Sequence, residues 1–142
     1  MSKSNAFEND MLALIFNGTA ISNLANNAAS SPLTNLYVSL HTADPGEDGN
    51  QGTNECAYTD YARVAVARTS GGWTITDNSV SPAADVDFPE ATGGTETATH
   101  FAIGTAASGA GKILYSGSIS PTISISSGVI PRLGTGTTIT ED

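Results

Sequence analysis

Basic residues are scarce in this sequence. Lysine and arginine supply five of the 142 residues, against 14 aspartates and glutamates, and the formal net charge is −9. The five are scattered along the chain, at Lys3, Arg63, Arg68, Lys112 and Arg132. A protein that binds a phosphate backbone or an anionic membrane surface needs clustered positive charge. We therefore expect no nucleic-acid partner and no membrane partner.

Cysteine and long apolar runs are also nearly absent. Cys56 is the only cysteine, so no disulfide can form within the chain. The apolar stretch from Met11 to Phe16 is too short for the hydrophobic region of a signal peptide and much too short to cross a bilayer. We expect a protein that is made and kept in a reducing cytoplasm, or released from it by lysis.

Charged residues make up only 13% of the chain, and threonine, valine and isoleucine stand among glycine-rich turns. This composition favours a β protein. From Leu33 onward the hydrophobic pattern has a period of two, as in the alternation of Leu36, Val38 and Leu40 with polar neighbours. The sequence predicts a mainly β fold, an antiparallel β-sandwich or jelly-roll-like domain with a short helical N-terminus.

The predicted organisation is one compact domain, with an N-terminal helical arm over residues 1–32 and a β-sandwich over residues 33–142. Asp44-Pro45-Gly46 predicts a turn, and the polar residues 46–56 predict a long surface loop. After the first strand, from residue 33 to His41, further strands are predicted at residues 61–68, 73–76, 78–88 with a bend at Pro82, 97–104, 112–120, 123–125 and 137–140.

Within the N-terminal arm, the sequence predicts a helix over Asn5–Asn17. Asn5 is the predicted N-cap, with Glu8 three residues later as in a capping box, and Gly18 marks the end. A second short helix is predicted over residues 21–28 and ends at Ser30-Ser31-Pro32. Four apolar residues of the first helix share one face: Phe7, Met11, Leu14 and Ile15.

The stretch GTAASGAGK, residues 104–112, resembles a nucleotide-binding P-loop only superficially. The motif requires a glycine where Ala106 stands and a hydroxyl residue where Ile113 stands. It also requires a following helix, whereas ILYSGSI predicts a strand. The preferred interpretation is a loop between two antiparallel strands in which glycine supplies positive φ angles.

The sequence contains only weak candidates for metal-binding or catalytic residues. His41, Asp44, Glu47 and Asp48 lie close in sequence, but their spacing fits no calcium loop, and a solvated acidic turn is the preferred interpretation. His41 and His100 are the only imidazoles, and neither they nor Cys56 belong to a hydrolase signature. A small hydrolase that uses one of these histidines stays an alternative, but we expect no enzyme, no metal and no cofactor.

The aromatic residues allow two interpretations. They could form a platform on which a sugar stacks, or they could be core and interface residues, and the second is preferred because the spacing shows no pairing of exposed aromatics. The residues are Tyr37, Tyr58, Tyr61, Trp73 and Tyr115.

Several stretches together resemble a family of small structural proteins of tailed bacteriophages. They are ALIFNGTAISNLANNAASSPLTNLYVSLHTADPGE, YTDYARVAVAR, GGWTITDNSVSPAADVDFP, ATHFAIGTAASGAGKILYSGSIS and GVIPRLGTGTTIT. The resemblance covers residues 13–140 and includes proteins labelled tail-fibre-like as well as cement proteins that decorate capsids. It brings no catalytic motif, and it implies a virion protein.

The preferred hypothesis is a capsid cement protein that binds the outer surface of the major capsid protein lattice and stabilises the head. The alternative is a tail-fibre or receptor-binding module. The strong negative charge suits an outer surface that avoids packaged DNA. We also expect self-association, with a trimer as the predicted state. The predicted contact residues are the helix face of Phe7, Met11, Leu14 and Ile15, and the turn residues Asp44, Pro45, Glu47 and Asp48. For the helix, packing on its own sandwich is an equal alternative.

Overall fold

The structure is a computed structural model of the chain and describes residues 3–28 and 31–141. It is mainly β with a short helical N-terminus, as predicted, and the described residues contain one helix. The helix α1 spans Asn5–Asn17. The strands are β1 Asn35–His41, β2 Val64–Ala67, β3 Trp73–Thr76, β4 Ser79–Pro82, β5 Val86–Asp87, β6 Glu96–Gly104, β7 Ile113–Ile125, β8 Arg132–Leu133 and β9 Ile139–Thr140.

Helix α1 has the predicted bounds but a different N-cap. Ser4, with extended backbone angles, accepts a hydrogen bond from the Phe7 N–H, so the prediction that Asn5 caps the helix is wrong. Asn5 is already helical and cannot take the extended cap conformation. At the other end Gly18 adopts the left-handed conformation (φ 65°), and the Thr19 N–H donates to Ala13 O at 3.0 Å. This closes the helix as the sequence predicts.

The buried face of α1 is formed by Glu8, Leu12 and Phe16, at intervals of four residues. The Phe16 ring meets Trp73 of β3 edge to face, with centroids 4.8 Å apart. The helix packs on β3 and β4, so these strands select the face that is buried. The apolar face predicted from the sequence therefore lies on the flanks of the contact rather than at its centre.

The predicted second helix is wrong. Ile21 and Ala25 instead form an antiparallel bridge, with the Ile21 N–H donating to Ala25 O at 2.8 Å. Asn23 at the tip of this turn has φ 58°, a left-handed angle that a helix does not contain. Of the predicted helix break, residue 30 lies outside the described residues.

Within the part of the chain that the structure describes, the strands form three sheets. The largest has the order β2-β1-β6-β7, a second has the order β3-β4-β9, and β5 pairs with β8. The pairs β1–β6, β6–β7, β3–β4 and β4–β9 are all antiparallel. The antiparallel β class is therefore confirmed. The sandwich or jelly-roll-like arrangement stays a prediction.

Several strand boundaries differ from the predictions. The segments 112–120 and 123–125 belong to one strand, β7, and residues 78–88 contain two strands separated at residues 83–85. Strand β2 is shorter than residues 61–68, and β8 follows no alternating pattern and was not predicted. In β1 the predicted polar face is wrong for Ser39 and His41, which are both fully buried. Their hydrogen bonds to each other and to the loop that follows β1 make this burial possible.

Contacts divide the chain into two compact units. Unit 1 comprises Met1–Asn35, Val66–Asp85 and Leu133–Asp142, and unit 2 comprises Leu36–Ala65 and Val86–Arg132. Unit 1 buries Leu12, Phe16, Trp73 and Val80, whereas unit 2 buries apolar residues of β1 and β6 together with Phe88. The predicted division into an arm and a sandwich domain stays a prediction. No helix in the described part of the chain is long and apolar enough to cross a membrane.

Candidate interaction surfaces

The 104–112 loop connects the antiparallel strands β6 and β7, as predicted. Arg63 and Gln51 hold this loop in place. Arg63 donates from Nη1 to Ala106 O at 2.9 Å and from Nη2 to Gly109 O at 2.6 Å. Gln51 Oε1 accepts from the Ala106 N–H at 3.1 Å, and the backbone N–H of Gln51 donates to Gly111 O at 2.9 Å. A phosphate cradle needs free amide groups, and here the amide of Ala106 is already used within the protein.

Glu55 holds Arg63 in place. The carboxylate oxygens Oε1 and Oε2 of Glu55 lie 2.6 and 2.7 Å from Nε and Nη2 of Arg63. The Arg63 side chain is only 2% exposed, and its hydrogen bonds to Glu55 raise its pKa. The Tyr61 hydroxyl also donates to Glu55 Oε1, at 2.9 Å. In this network the Glu55 carboxylate balances the charge of the buried Arg63 guanidinium, and the guanidinium in turn anchors the 104–112 loop.

His41 lies in a buried hydrogen-bonded pair with Ser39. Its Nε2 is 2.9 Å from Ser39 Oγ, and its Nδ1 is 2.8 Å from Thr53 O. Because a carbonyl oxygen can only accept, Nδ1 carries the proton and Nε2 accepts from the serine. Burial lowers the pKa of His41 and favours this neutral form.

The Ser39–His41 pair resembles part of a hydrolase triad only in the distance between Ser39 Oγ and His41 Nε2. Both residues are fully buried, and Nδ1 of His41 donates to the backbone carbonyl of Thr53 rather than to a carboxylate. A substrate cannot reach Ser39 in this fold. Cys56 is also buried, and its burial raises the pKa of the thiol, which disfavours the nucleophilic thiolate. His100 instead bonds its neighbour, with 2.9 Å between Nδ1 and Thr99 Oγ1.

The predicted acidic turn is largely exposed. Asp44, Glu47 and Asp48 are on the surface, whereas Pro45 is buried. The Gly46 N–H donates to Asp44 Oδ1 at 2.9 Å, which fixes the turn through its own side chain. His41 lies buried behind it, so it does not join the carboxylates. Among the described residues, no group of three or more histidine, cysteine, aspartate or glutamate side chains is placed to hold a metal ion.

Strand β7 lies beside this acidic turn. A hollow of about 430 Å³ separates them and is lined by Asp44, Gly46, Glu47, Ile113, Leu114, Tyr115 and Ser116. All of these residues belong to unit 2. The structure thus brings predicted contact residues of the turn next to a strand that the sequence analysis did not connect with them.

Two of the five aromatic residues are buried, as the core interpretation predicts, and the other three are partly exposed. Trp73 and Tyr58 are 1% and 3% exposed, which removes them from any surface platform. Tyr58 donates to Pro89 O at 2.9 Å and packs edge to face on Tyr61, with ring centroids 5.2 Å apart. Tyr61 in turn stacks on Phe88. Tyr115, at the hollow, is only partly buried.

Unit 1 carries a second candidate surface, around helix α1. Met11, Leu14 and Ile15 are partly buried, while Phe7 is 37% exposed. Leu24 and Leu33 in the segment after the helix are 68% and 42% exposed. Apolar side chains left in contact with water are typical of surfaces that bind another protein. Whether these residues form a contact stays a prediction.

Arg68 organises this second surface and was not predicted as a functional residue. Its Nε donates to Ile15 O at 2.6 Å and its Nη2 to Leu14 O at 2.8 Å, at the carbonyl end of the helix. Its Nη1 donates to Leu33 O at 2.9 Å. One guanidinium therefore joins the helix end to the segment before β1 and neutralises part of the helix dipole.

No curated protein matches the sequence. The family model described as Podophage GP4 fiber I protein gp80 matches residues 2–140, nearly the whole chain. The chain therefore belongs to this family of phage virion structural proteins.

Proposed function

We propose that this chain is a structural subunit of a fibre on a podophage-type virion. The observation that carries the proposal is the match of residues 2–140 to a family described as a fibre protein. The structure supports it through the 104–112 loop, which Arg63 and Gln51 fix from within the protein, so that it is not prepared for a small ligand. In this function the chain acts by binding neighbouring proteins and carries out no reaction.

A capsid cement protein is the second candidate function. Its specific support is the net charge of −9, because an acidic protein avoids the packaged DNA and suits the outside of a shell. In that case the partner is the major capsid protein, and binding stabilises the assembled shell by mass action. The two candidates differ in position on the particle and in number of copies.

The experiment is a count of copies on purified virions. Quantitative mass spectrometry gives the ratio of this chain to the major capsid protein, and labelled antibodies seen by electron microscopy give its position. The fibre function predicts label at the tail and a few dozen copies or fewer. Label spread over the head with hundreds of copies would support the cement function instead, and absence from the virion would contradict both.

A further inference from the structure

The segment that follows strand β1, residues 42–56, is held against the end of that strand. The Cys56 N–H donates to a carbonyl of β1 at 2.8 Å, and Glu55 forms an antiparallel bridge with His41. The ring of His41 adds a side-chain contact, because its Nδ1 donates to Thr53 O at 2.8 Å. One buried imidazole therefore ties this segment to the sheet.

His41 has a titratable residue opposite it on each side. In the β1–β6 pair it faces His100, and in the bridge it faces Glu55. Directly opposed residues of neighbouring antiparallel strands lie on the same face, so the three side chains form one row. Arg63 extends the row through its ion pair with Glu55. The charged and titratable groups that act on His41 are thus His100, Glu55 and Arg63.

The closed arrangement accommodates a second proton on His41 poorly. Nδ1 already carries one, so the second would go to Nε2, which accepts from Ser39 Oγ at 2.9 Å. The serine hydroxyl would then have to turn towards Ala102 O, which is 3.4 Å away and makes only a long hydrogen bond. The imidazolium would also be a buried charge, and the Glu55 carboxylate is already paired with Arg63.

We propose that protonation of His41 releases the 42–56 segment from strand β1 while the rest of the fold persists. In the released form the imidazole meets water and accepts a proton near its ordinary pKa of 6.5, whereas burial keeps the ring neutral in the closed form. Closure is therefore strongest above pH 6.5 and weakens as the pH falls below this value.

The release changes two surfaces of unit 2. The segment contains the acidic turn, so its position relative to β7 is no longer fixed. It also contains Gln51 and Glu55, which hold the 104–112 loop directly or through Arg63. A single proton thus controls how both loops are presented to a partner.

Cys56 is a built-in reporter of this release. It is the only cysteine, it is 2% exposed, and it lies at the end of the segment. The labelling rate with dithiodipyridine is measured at pH 7.5 and pH 5.5, and each rate is divided by that of the urea-unfolded chain at the same pH. We expect this ratio to rise about fivefold at the lower pH. The fluorescence of Trp73, the only tryptophan, is expected to stay native, which separates release from unfolding.

Histidine variants assign the effect to one ring. His41→Asn keeps a donor for Thr53 O but takes up no proton, and it is expected to lose the rise in labelling. His41→Gln is the second variant if the first does not fold. His100→Asn removes the only other histidine and is the matched control, with the rise retained. An equal rise in the wild type and in a His41 variant, or a rise abolished by His100→Asn, overturns the proposal.

Hydrogen exchange followed by mass spectrometry locates the opening. After correction for the intrinsic exchange rate, we expect protection to fall about fivefold in peptides from residues 42–56, while strand β6 stays protected. Labelling of wild-type Cys56 that does not depend on pH overturns the proposal. So does labelling that rises only together with loss of protection in β6 or a change in Trp73 fluorescence. The proposal concerns the chain by itself, so its failure leaves the fibre and cement functions unaffected.

Discussion

Arg63 and Glu55 form a two-pronged ion pair in which Nε–Oε1 and Nη2–Oε2 are 2.6 and 2.7 Å apart and the Arg63 side chain is 2% exposed. The same guanidinium binds two carbonyls of the loop between β6 and β7. The pair thus links the segment before β2 to a loop more than forty residues away.

Replacement of Arg63 with methionine is expected to lower the free energy of unfolding by about 3 kcal/mol, since it leaves the Glu55 carboxylate and two carbonyls without a partner. Urea denaturation measures the loss. The double variant Arg63→Met/Glu55→Met recovers part of it, because no unpaired charge remains. Arg132→Met, which breaks an exposed pair with Asp87, is the matched control and stays near wild-type stability. Equal losses at Arg63 and Arg132 would contradict this account.

His41 gives the stability a defined pH dependence. Burial holds its pKa below the ordinary value of 6.5, so the unfolded chain takes up a proton at a higher pH than the folded chain. The unfolded state then binds more protons, and stability falls as the pH drops below about 6.5, by at most about 1.4 kcal/mol per pH unit, until the folded pKa is reached.

The variant His41→Asn isolates this effect. Urea denaturation at pH 7.5 and pH 5.5 gives the stability change for each protein, and the carboxylates contribute equally to both. We expect the wild type to lose about 1 kcal/mol more than the variant between these pH values. The same pH dependence in both proteins would show that His41 takes up its proton equally well in the folded and unfolded states.

Gly104 lies so close to the Gln51 side chain that only glycine fits at position 104. A Cβ at position 104 would lie 2.1 Å from Gln51 Cδ, so Gly104→Ala forces the buried amide from its place. We expect Gly104→Ala and Gln51→Ala each to cost about 2 kcal/mol, the first by overpacking and the second by leaving the Ala106 N–H and Tyr37 O unsatisfied. The double variant is expected to cost clearly less than the sum, and strict additivity would refute the pairing.

The N-cap of α1 is Ser4 in the structure, whereas the sequence predicted Asn5. Ser4→Ala removes the side-chain acceptor for the Phe7 N–H and is expected to cost about 1 kcal/mol. Asn5→Ala, one residue later and already helical, is the matched control and should leave thermal stability nearly unchanged. A larger loss from Asn5→Ala than from Ser4→Ala would restore Asn5 as the cap.

Local patterns predicted the elements whose conformation is set by neighbours in sequence. The bounds of α1, the left-handed Gly18 and the loop between β6 and β7 follow from such signals. The buried face of α1 does not, because the strand that packs on Phe16 is distant in sequence. Residues 21–28 carry helical spacing, yet the turn at Asn23 replaces the helix with a bridge.

The polar interior was the least predictable part. Gln51 is fully buried within a segment predicted as a surface loop, and His41 is buried at a position assigned to the solvent side. Their burial depends on hydrogen bonds to backbone groups of other segments, which spacing does not show. Arg63 and Arg68, two of only five basic residues, lie within the predicted strand 61–68, and this placement was a signal that both guanidiniums have partners within the protein.

The most direct test of the central claim is the position and number of copies of this chain on the virion, from antibody labelling and quantitative mass spectrometry of purified particles. A fibre subunit predicts label confined to the tail, with a few dozen copies or fewer for each particle. Label over the whole head, with hundreds of copies, would contradict the fibre function.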